Sequence, residues 1–136
     1  VFDPRVPHGV RCVRGTHDPR EGRLVIHGWF VQPRPFIQGP LRASALTSRV
    51  DELTGSLGDW LQGLPVAGLV SLAFTVDRRG GVSSVRVLCD TTRVPAGDEA
   101  ARRRLVRRIA AAVARWRFAP QRGASRITLP LVFERG

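Results

Sequence analysis

Residues 69–89 read LVSLAFTVDRRGGVSSVRVLC, and this stretch decides the fold of the second half of the chain. Large apolar residues occupy every second position of the segment 69–76, which is the period of a β-strand with one buried face. A glycine-ended turn follows at 77–81, and the chain returns through 82–89. The stretch therefore predicts a β-hairpin, with its returning strand facing inward at Val85 and Val87.

Helical patterns flank this hairpin on both sides. Apolar residues in the segment 46–64 recur at spacings of three and four, which gathers them into one stripe on a helix. Gly55 and Gly58 weaken that helix by about 1 kcal/mol each relative to alanine, so it needs a sheet to pack against. A second helix is predicted from a cap at Asp98 to about Trp116. The alternating segment Ile127–Phe133 closes the chain as a strand, and the order helix, strand, strand, helix, strand predicts an α+β fold.

The first third of the chain has a different character. Short β-like runs alternate with turn signals, and Arg23–Phe30 is the clearest strand among them. Prolines at 33, 35 and 40 then forbid a helix and favour an extended connector. These changes predict three parts: a short β region at 1–32, a proline-rich connector at 33–45 and an α+β domain at 46–136.

The charge of the chain limits the class of partner. All 22 basic side chains among the 136 residues are arginine, against 11 acidic ones, which gives a formal charge of +11. Such an excess favours an acidic protein, an anionic lipid surface or a nucleic acid. No apolar run approaches the roughly 20 residues of a transmembrane helix. Cys12 and Cys89 lack zinc-type spacing, and their redox state stays open.

The amino-terminal part carries one candidate metal ligand and one candidate anion-binding residue. His8, followed by Arg23 and its strand, resembles the last strands of the prolyl-hydroxylase-like iron- and 2-oxoglutarate-dependent oxygenases, over residues 1–37. The resemblance implies that His8 completes an Fe(II) site and that Arg23 pairs with the distal carboxylate of 2-oxoglutarate. Such a site needs two imidazoles and one carboxylate, and the family places a His-x-Asp/Glu pair upstream.

Only Val1–Pro7 precede His8 in this sequence, and they contain no such pair. One imidazole does not hold iron at useful affinity, so we expect an oxygenase remnant that binds neither metal nor cofactor. His8 and Arg23 then serve as ordinary polar groups. The alternative is that the native chain extends upstream and is the end of a hydroxylase that uses Fe(II) and 2-oxoglutarate.

The second half resembles a different family. The run RWRFAP at 115–120 and the ending LPLVF at 129–133 are similar to the carboxy-terminal domain of the TonB family and its AgmX-type relatives, over residues 46–134. The resemblance implies protein binding, commonly by pairing an exposed strand edge with an extended segment of a partner. The last strand is the candidate edge, although Pro130 removes one donor from it. Its partner-binding candidates are Ile127, Leu129, Leu131 and Phe133.

The second predicted helix supplies another candidate surface, because its arginines lie opposite its apolar stripe. We expect them to face an acidic protein or an anionic lipid surface. We expect no nucleic acid partner, since no aromatic residue is interleaved among them and no nucleic-acid-binding motif accompanies them. The candidates are Arg103, Arg104, Arg107 and Arg108.

Nothing in 46–136 assembles a nucleophile with a base, so we predict no catalytic residue. The expected function is a non-catalytic protein-binding or scaffolding subunit that docks on a larger assembly, which the TonB resemblance would associate with a membrane. A TonB-type periplasmic energy transducer is a further alternative, but it requires a membrane anchor and a proline-rich stalk that are not visible here. The cell envelope is favoured over the cytoplasm as the location.

Overall fold

The computed structural model describes residues 34–134, which belong to the second of the two units, Val1–Gln32 and Pro33–Gly136, into which the chain divides. The predicted oxygenase-like region, with His8 and Arg23, lies outside the described residues. The described part is an α+β fold, as predicted, with two helices and a four-stranded sheet. Its elements are β1 (Phe36–Gln38), α1 (Ala43–Leu61), β2 (Gly68–Val76), β3 (Val82–Asp90), α2 (Glu99–Ala114) and β4 (Ser125–Phe133).

All neighbouring strands of the sheet are antiparallel, and their order is β1-β4-β2-β3. β2 and β3 form the predicted hairpin. β4 returns from α2 and pairs with β2 along its whole length, from Gly68 opposite Phe133 to Val76 opposite Ser125. The strand predicted from Leu69–Val76 therefore lies at the centre of the sheet.

The core lies on one face of the sheet, beneath both helices. The alternation seen in the sequence decides this, because every second side chain of β2 and of β4 is buried. The helices contribute their apolar stripes to the same core, as their spacing predicted. Its largest fully buried apolar side chains are Leu46, Leu72, Ile109, Ile127, Leu129, Val70, Val76 and Val113.

The exit of α2 is fixed by aromatic packing against the hairpin. Trp116 is buried and makes edge-to-face contacts with Phe74 and Phe118, at centroid distances of 5.9 and 6.2 Å. The Phe118 amide donates a 2.9 Å hydrogen bond to the Gly80 carbonyl in the β2–β3 turn. Gly80 has φ +88°, and a Cβ there would lie 1.8 Å from the Phe118 carbonyl oxygen, so this contact requires glycine.

The predicted connector at 33–45 holds more structure than the prolines suggested. Phe36–Gln38 pair with Thr128–Arg126 of β4, and α1 begins at Ala43, within the segment predicted to be extended. The strand fits between Pro35 and Pro40, where no proline removes a donor. The extended backbone that proline favours is the conformation that β1 uses, and Ile37 packs on the core.

Two smaller predictions about β3 and α2 are wrong in detail. Val87 lies opposite buried Leu72 but stays 43% exposed, because β3 forms an edge of the sheet. Val85, the other residue of β3 that was predicted to face inward, is half-buried against the core. Asp98 stands at the amino-terminal cap of α2, yet its side chain makes no capping hydrogen bond.

Candidate functional site

The last strand is not the free edge that the sequence predicted. β1 occupies the outer side of β4 at Arg126–Thr128, so only the stretch from Leu129 to Phe133 lies beyond it. The four predicted partner-binding side chains of this strand all point into the core, where they are buried. Their exposed fractions are 2% for Ile127, 1% for Leu129, 7% for Leu131 and 9% for Phe133.

The remaining part of that edge offers few hydrogen-bonding groups. The N–H of Leu69 donates to the Thr91 hydroxyl, and the C=O of Leu69 accepts from the Thr91 N–H, both on the β3 side. Backbone groups alternate in direction along a strand, so the N–H and C=O groups of the even-numbered residues of β2 point toward β4. In β4, the backbone N–H and C=O groups that point away from β2 are then those of the even-numbered residues. Beyond β1 these are Pro130, which has no N–H, and Val132. A partner strand would meet a single donor there, so extended pairing at this edge is weak.

The opposite edge of the sheet, β3, is irregular. One step along β2 from Ser71 to Leu72 corresponds to two steps along β3, from Cys89 to Val87, which marks a bulge. A second bulge lies further along, where Ser84 has φ +55°. Bulges interrupt the regular ladder and discourage the addition of another strand. Both edges of the described sheet are therefore poor docking sites for an extended segment.

The arginine face of α2, defined here as Arg103, Arg104, Arg107 and Arg108, is exposed as predicted. Arg103 and Arg107, like Arg104 and Arg108, are four residues apart, so the four side chains lie on one side of the helix. Among residues 34–134, none of the four forms an ion pair. Glu99 lies four residues before Arg103 but pairs with Arg102, so no ion pair within residues 34–134 relieves the repulsion between these guanidinium groups.

Arg102, on the same helix, contrasts with that face. Its side chain is 19% exposed and pairs with Asp90 at the end of β3 and with Glu99 one turn earlier. The Nε–H of Arg102 donates a 2.7 Å hydrogen bond to Glu99, and this bond together with Asp90 raises the pKa of Arg102, against partial desolvation. Arg102 thus ties α2 to the hairpin and is a structural residue.

Asp90 is the acidic centre of that contact. Burial acts to raise the pKa of Asp90, but hydrogen bonds from the hydroxyl and the amide of Thr92, with Arg102 beside them, outweigh burial and lower the pKa below 3.8. The carboxylate is therefore held in its charged form. No sequence pattern indicates this cluster, since Asp90 and Arg102 belong to separate elements.

Arg108 is held in place by a contact that no sequence pattern indicates. Its guanidinium carbon lies 4.5 Å from the centre of the Trp60 ring, which belongs to the last turn of α1. This is a cation–π contact, and it joins the arginine face to the neighbouring helix. The helical spacing of Trp60 pointed only to packing, and Trp60 does pack partly buried on the core.

The exposed side of α2 changes character after Arg108. Ala111 and Ala114 are exposed there and interrupt the basic surface, which resumes at exposed Arg115, the C-cap of α2. The described ranges also contain an open groove of about 570 Å³ between the start of α1 and the segment after α2, flanked by Arg42 and Arg122. The amide of Gln121 in that groove is already bonded to the carbonyls of Val76 and Asp77.

Metal-binding groups do not come together in the part of the chain that the structure describes. No three His, Cys, Asp or Glu side chains within 34–134 are placed to hold a metal ion. In the same range, neither helix is long and apolar enough to cross a membrane. No family model matches this chain, and neither does a curated protein or a solved structure. The oxygenase-like and TonB-like interpretations therefore stay predictions.

Proposed function

We propose that this protein is a non-catalytic protein-binding or scaffolding subunit that docks on a larger assembly through the arginine face of α2. The proposal rests on the contrast between two kinds of arginine side chain on the same helix, α2. Arg102 is paired and partly buried, whereas Arg103, Arg104 and Arg107 are exposed and have no acidic partner among residues 34–134. Like charges that repel each other and do not stabilise the fold are expected on a surface where a binding partner supplies the opposite charge.

An acidic protein fits this face better than other anionic partners. Arginine binds carboxylates with two parallel hydrogen bonds, which gives specificity in a protein contact. A bilayer surface would gain little beyond electrostatics, because the exposed residues that follow Arg108 on this side are Ala111, Ala114 and Arg115 rather than large apolar groups. A single-stranded nucleic acid would need aromatic residues for stacking, and the exposed side of α2 has none.

The strand edge has a secondary role in this proposal. Ile127, Leu129, Leu131 and Phe133 support the surface from the core rather than touching the partner, since their side chains are buried. Exposed Val132, at 50%, and Phe36, at 59%, lie on the face of the sheet away from the helices and are not part of this docking surface. The charged helix is the primary contact.

The proposal is tested with the full chain as bait in an extract of the native cell. One variant replaces Arg103, Arg104 and Arg107 with glutamine. The matched control replaces Arg78, Arg86 and Arg126 with glutamine. These arginines are also exposed, so both variants lose the same charge. A specific partner should be retained by the wild type and the control, lost by the α2 variant and released by salt. Direct binding of that purified partner, with the same order of affinities, completes the test. Equal retention by both triple variants would contradict the proposal.

The oxygenase alternative depends on His8 and Arg23, outside the described residues. It predicts that a longer form, extended upstream with the missing His-x-Asp/Glu pair, binds stoichiometric Fe(II) and consumes 2-oxoglutarate. Arg23→Ala would then raise the 2-oxoglutarate requirement steeply, because the distal carboxylate loses its partner. Metal analysis and a 2-oxoglutarate consumption assay separate this alternative from the binding proposal, which includes no metal and no cofactor.

A further inference from the structure

Arg108 differs from the other members of the arginine face because its side chain has a fixed position. Its guanidinium group stacks on Trp60 of α1 at 4.5 Å, whereas Arg103, Arg104 and Arg107 have no ion-pair partner among the residues described. Trp60 is itself held, since it packs against the hydrophobic core. The position of Arg108 is therefore set by two helices rather than by one flexible side chain.

Stacking leaves the hydrogen-bonding groups of Arg108 available. The guanidinium of Arg108 carries several N–H donors, and none of them donates to another side chain or forms an ion pair within residues 34–134. An arginine already held in one conformation loses less entropy when it binds a carboxylate than a freely rotating arginine does. Residues of this kind commonly dominate the energy of an interface.

We infer that Arg108, positioned by Trp60, is the anchoring residue for a carboxylate of an acidic amphipathic helix that lies along α2. This inference rests on the proposed function and names the chemistry of the partner. Arg103, Arg104 and Arg107 attract and orient the acidic half of that helix. The contact between Arg108 and the carboxylate fixes its register.

The shape of α2 supports a helical partner. Two helices pack with their axes about 8–10 Å apart, and small residues at the contact allow the closest approach. Ala111 and Ala114 supply small residues directly after the arginines. The surface from Arg103 to Ala114 spans about 18 Å of helix. It fits a partner helix of about three turns, with Asp or Glu opposite the arginines and apolar side chains opposite the alanines, before the surface becomes basic again at exposed Arg115.

The test uses the full chain and a designed probe, a helical peptide of about twelve residues with three glutamates at helical spacing on one side and two leucines continuing that side. A second peptide has the same composition, with the glutamates distributed around the helix. Binding is measured by fluorescence anisotropy at low and high salt. Vesicles containing phosphatidylserine and a single-stranded oligonucleotide are measured in parallel.

Four variants locate the anchor. Arg108→Gln should weaken binding of the first peptide about tenfold, and Arg108→Lys should weaken it about threefold because the two-pronged geometry is lost. Trp60→Leu keeps an apolar side chain but removes the ring, and should weaken binding about threefold. Arg126→Gln, on the opposite face of the sheet, removes one charge and should change affinity less than about twofold. The redistributed peptide should bind weakly to all of them.

A double-mutant cycle separates positioning from a general effect on the fold. The loss of affinity caused by Trp60→Leu should disappear in the Arg108→Gln background, because the ring acts through that guanidinium.

If Arg108→Gln binds like Arg126→Gln while the triple glutamine variant of Arg103, Arg104 and Arg107 has lost binding, the assignment of Arg108 as the anchor is wrong and the proposed docking face survives. If that triple variant binds like the wild type, the docking face is wrong as well. Equal binding of both peptides, or preference for vesicles or the oligonucleotide, overturns the helical partner.

Discussion

The two sides of α2 carry residues of the same kind for different purposes. Arg102 and Arg103 are neighbours in the sequence, yet Arg102 joins Asp90 and Glu99 in a half-buried cluster while Arg103 is exposed without an acidic partner in the described part. The inner side, with Leu105, Ile109 and Val113, builds the core. Composition does not distinguish the two kinds of arginine, but position on the helix does.

Substitution on the inner side should have the largest effect on stability. Ile109 is fully buried between α2 and the sheet, and Ile109→Ala removes three carbons and leaves a cavity. We expect the free energy of unfolding to fall by about 3 kcal/mol. Denaturant unfolding of the full chain measures the difference. Arg107→Ala, two positions away on the outer side, is the matched control and should change stability by less than about 0.5 kcal/mol.

The inner side also depends on how the chain leaves α2. Gly80→Ala introduces a side chain at a positive φ and places its Cβ 1.8 Å from the Phe118 carbonyl oxygen. The turn must move away from the end of α2, and we expect a loss of at least about 2 kcal/mol. Gly97→Ala provides a comparison, because Gly97 also has a positive φ but its Cβ would meet no atom within 4 Å. Equal losses at both positions would mean that the contact with Phe118 adds nothing.

Replacing Asp90 tests the link between α2 and the hairpin. Asp90→Ala removes the acceptor for Thr92 and Arg102 and should lower the free energy of unfolding by about 1 kcal/mol at neutral pH. The folded state lowers the pKa of Asp90 below 3.8, so this contribution is present above the ordinary pKa. It disappears as the pH falls through the lower pKa of the folded state. Unfolding curves of the wild type and the variant should therefore differ at pH 7 and converge in strong acid.

The sequence predicted those features that a local period encodes. The alternation of β2 and β4 and the stripes of α1 and α2 correctly placed the core. It did not predict the two bulges of β3, because extra residues in a strand are visible only once the strand is paired, nor that Val87 would lie exposed at the edge of the sheet. The pairing of β1 with β4 and the stacking of Arg108 on Trp60 join segments far apart in the chain. Such contacts depend on tertiary packing and leave no mark on local periodicity.

The outer side of α2 should give the smallest change in stability, with the opposite sign. Arg103 and Arg107 are four residues apart and repel each other, since no acid among residues 34–134 pairs with either. Arg103→Gln with Arg107→Gln should leave stability unchanged or raise it by up to about 0.5 kcal/mol at low salt, and the gain should vanish at high salt. Thermal unfolding at two salt concentrations measures this difference, with Arg86→Gln plus Arg126→Gln as the charge-matched control. A clear destabilisation by the α2 pair would show that these arginines serve the fold, and the distinction between the two sides of the helix would then be lost.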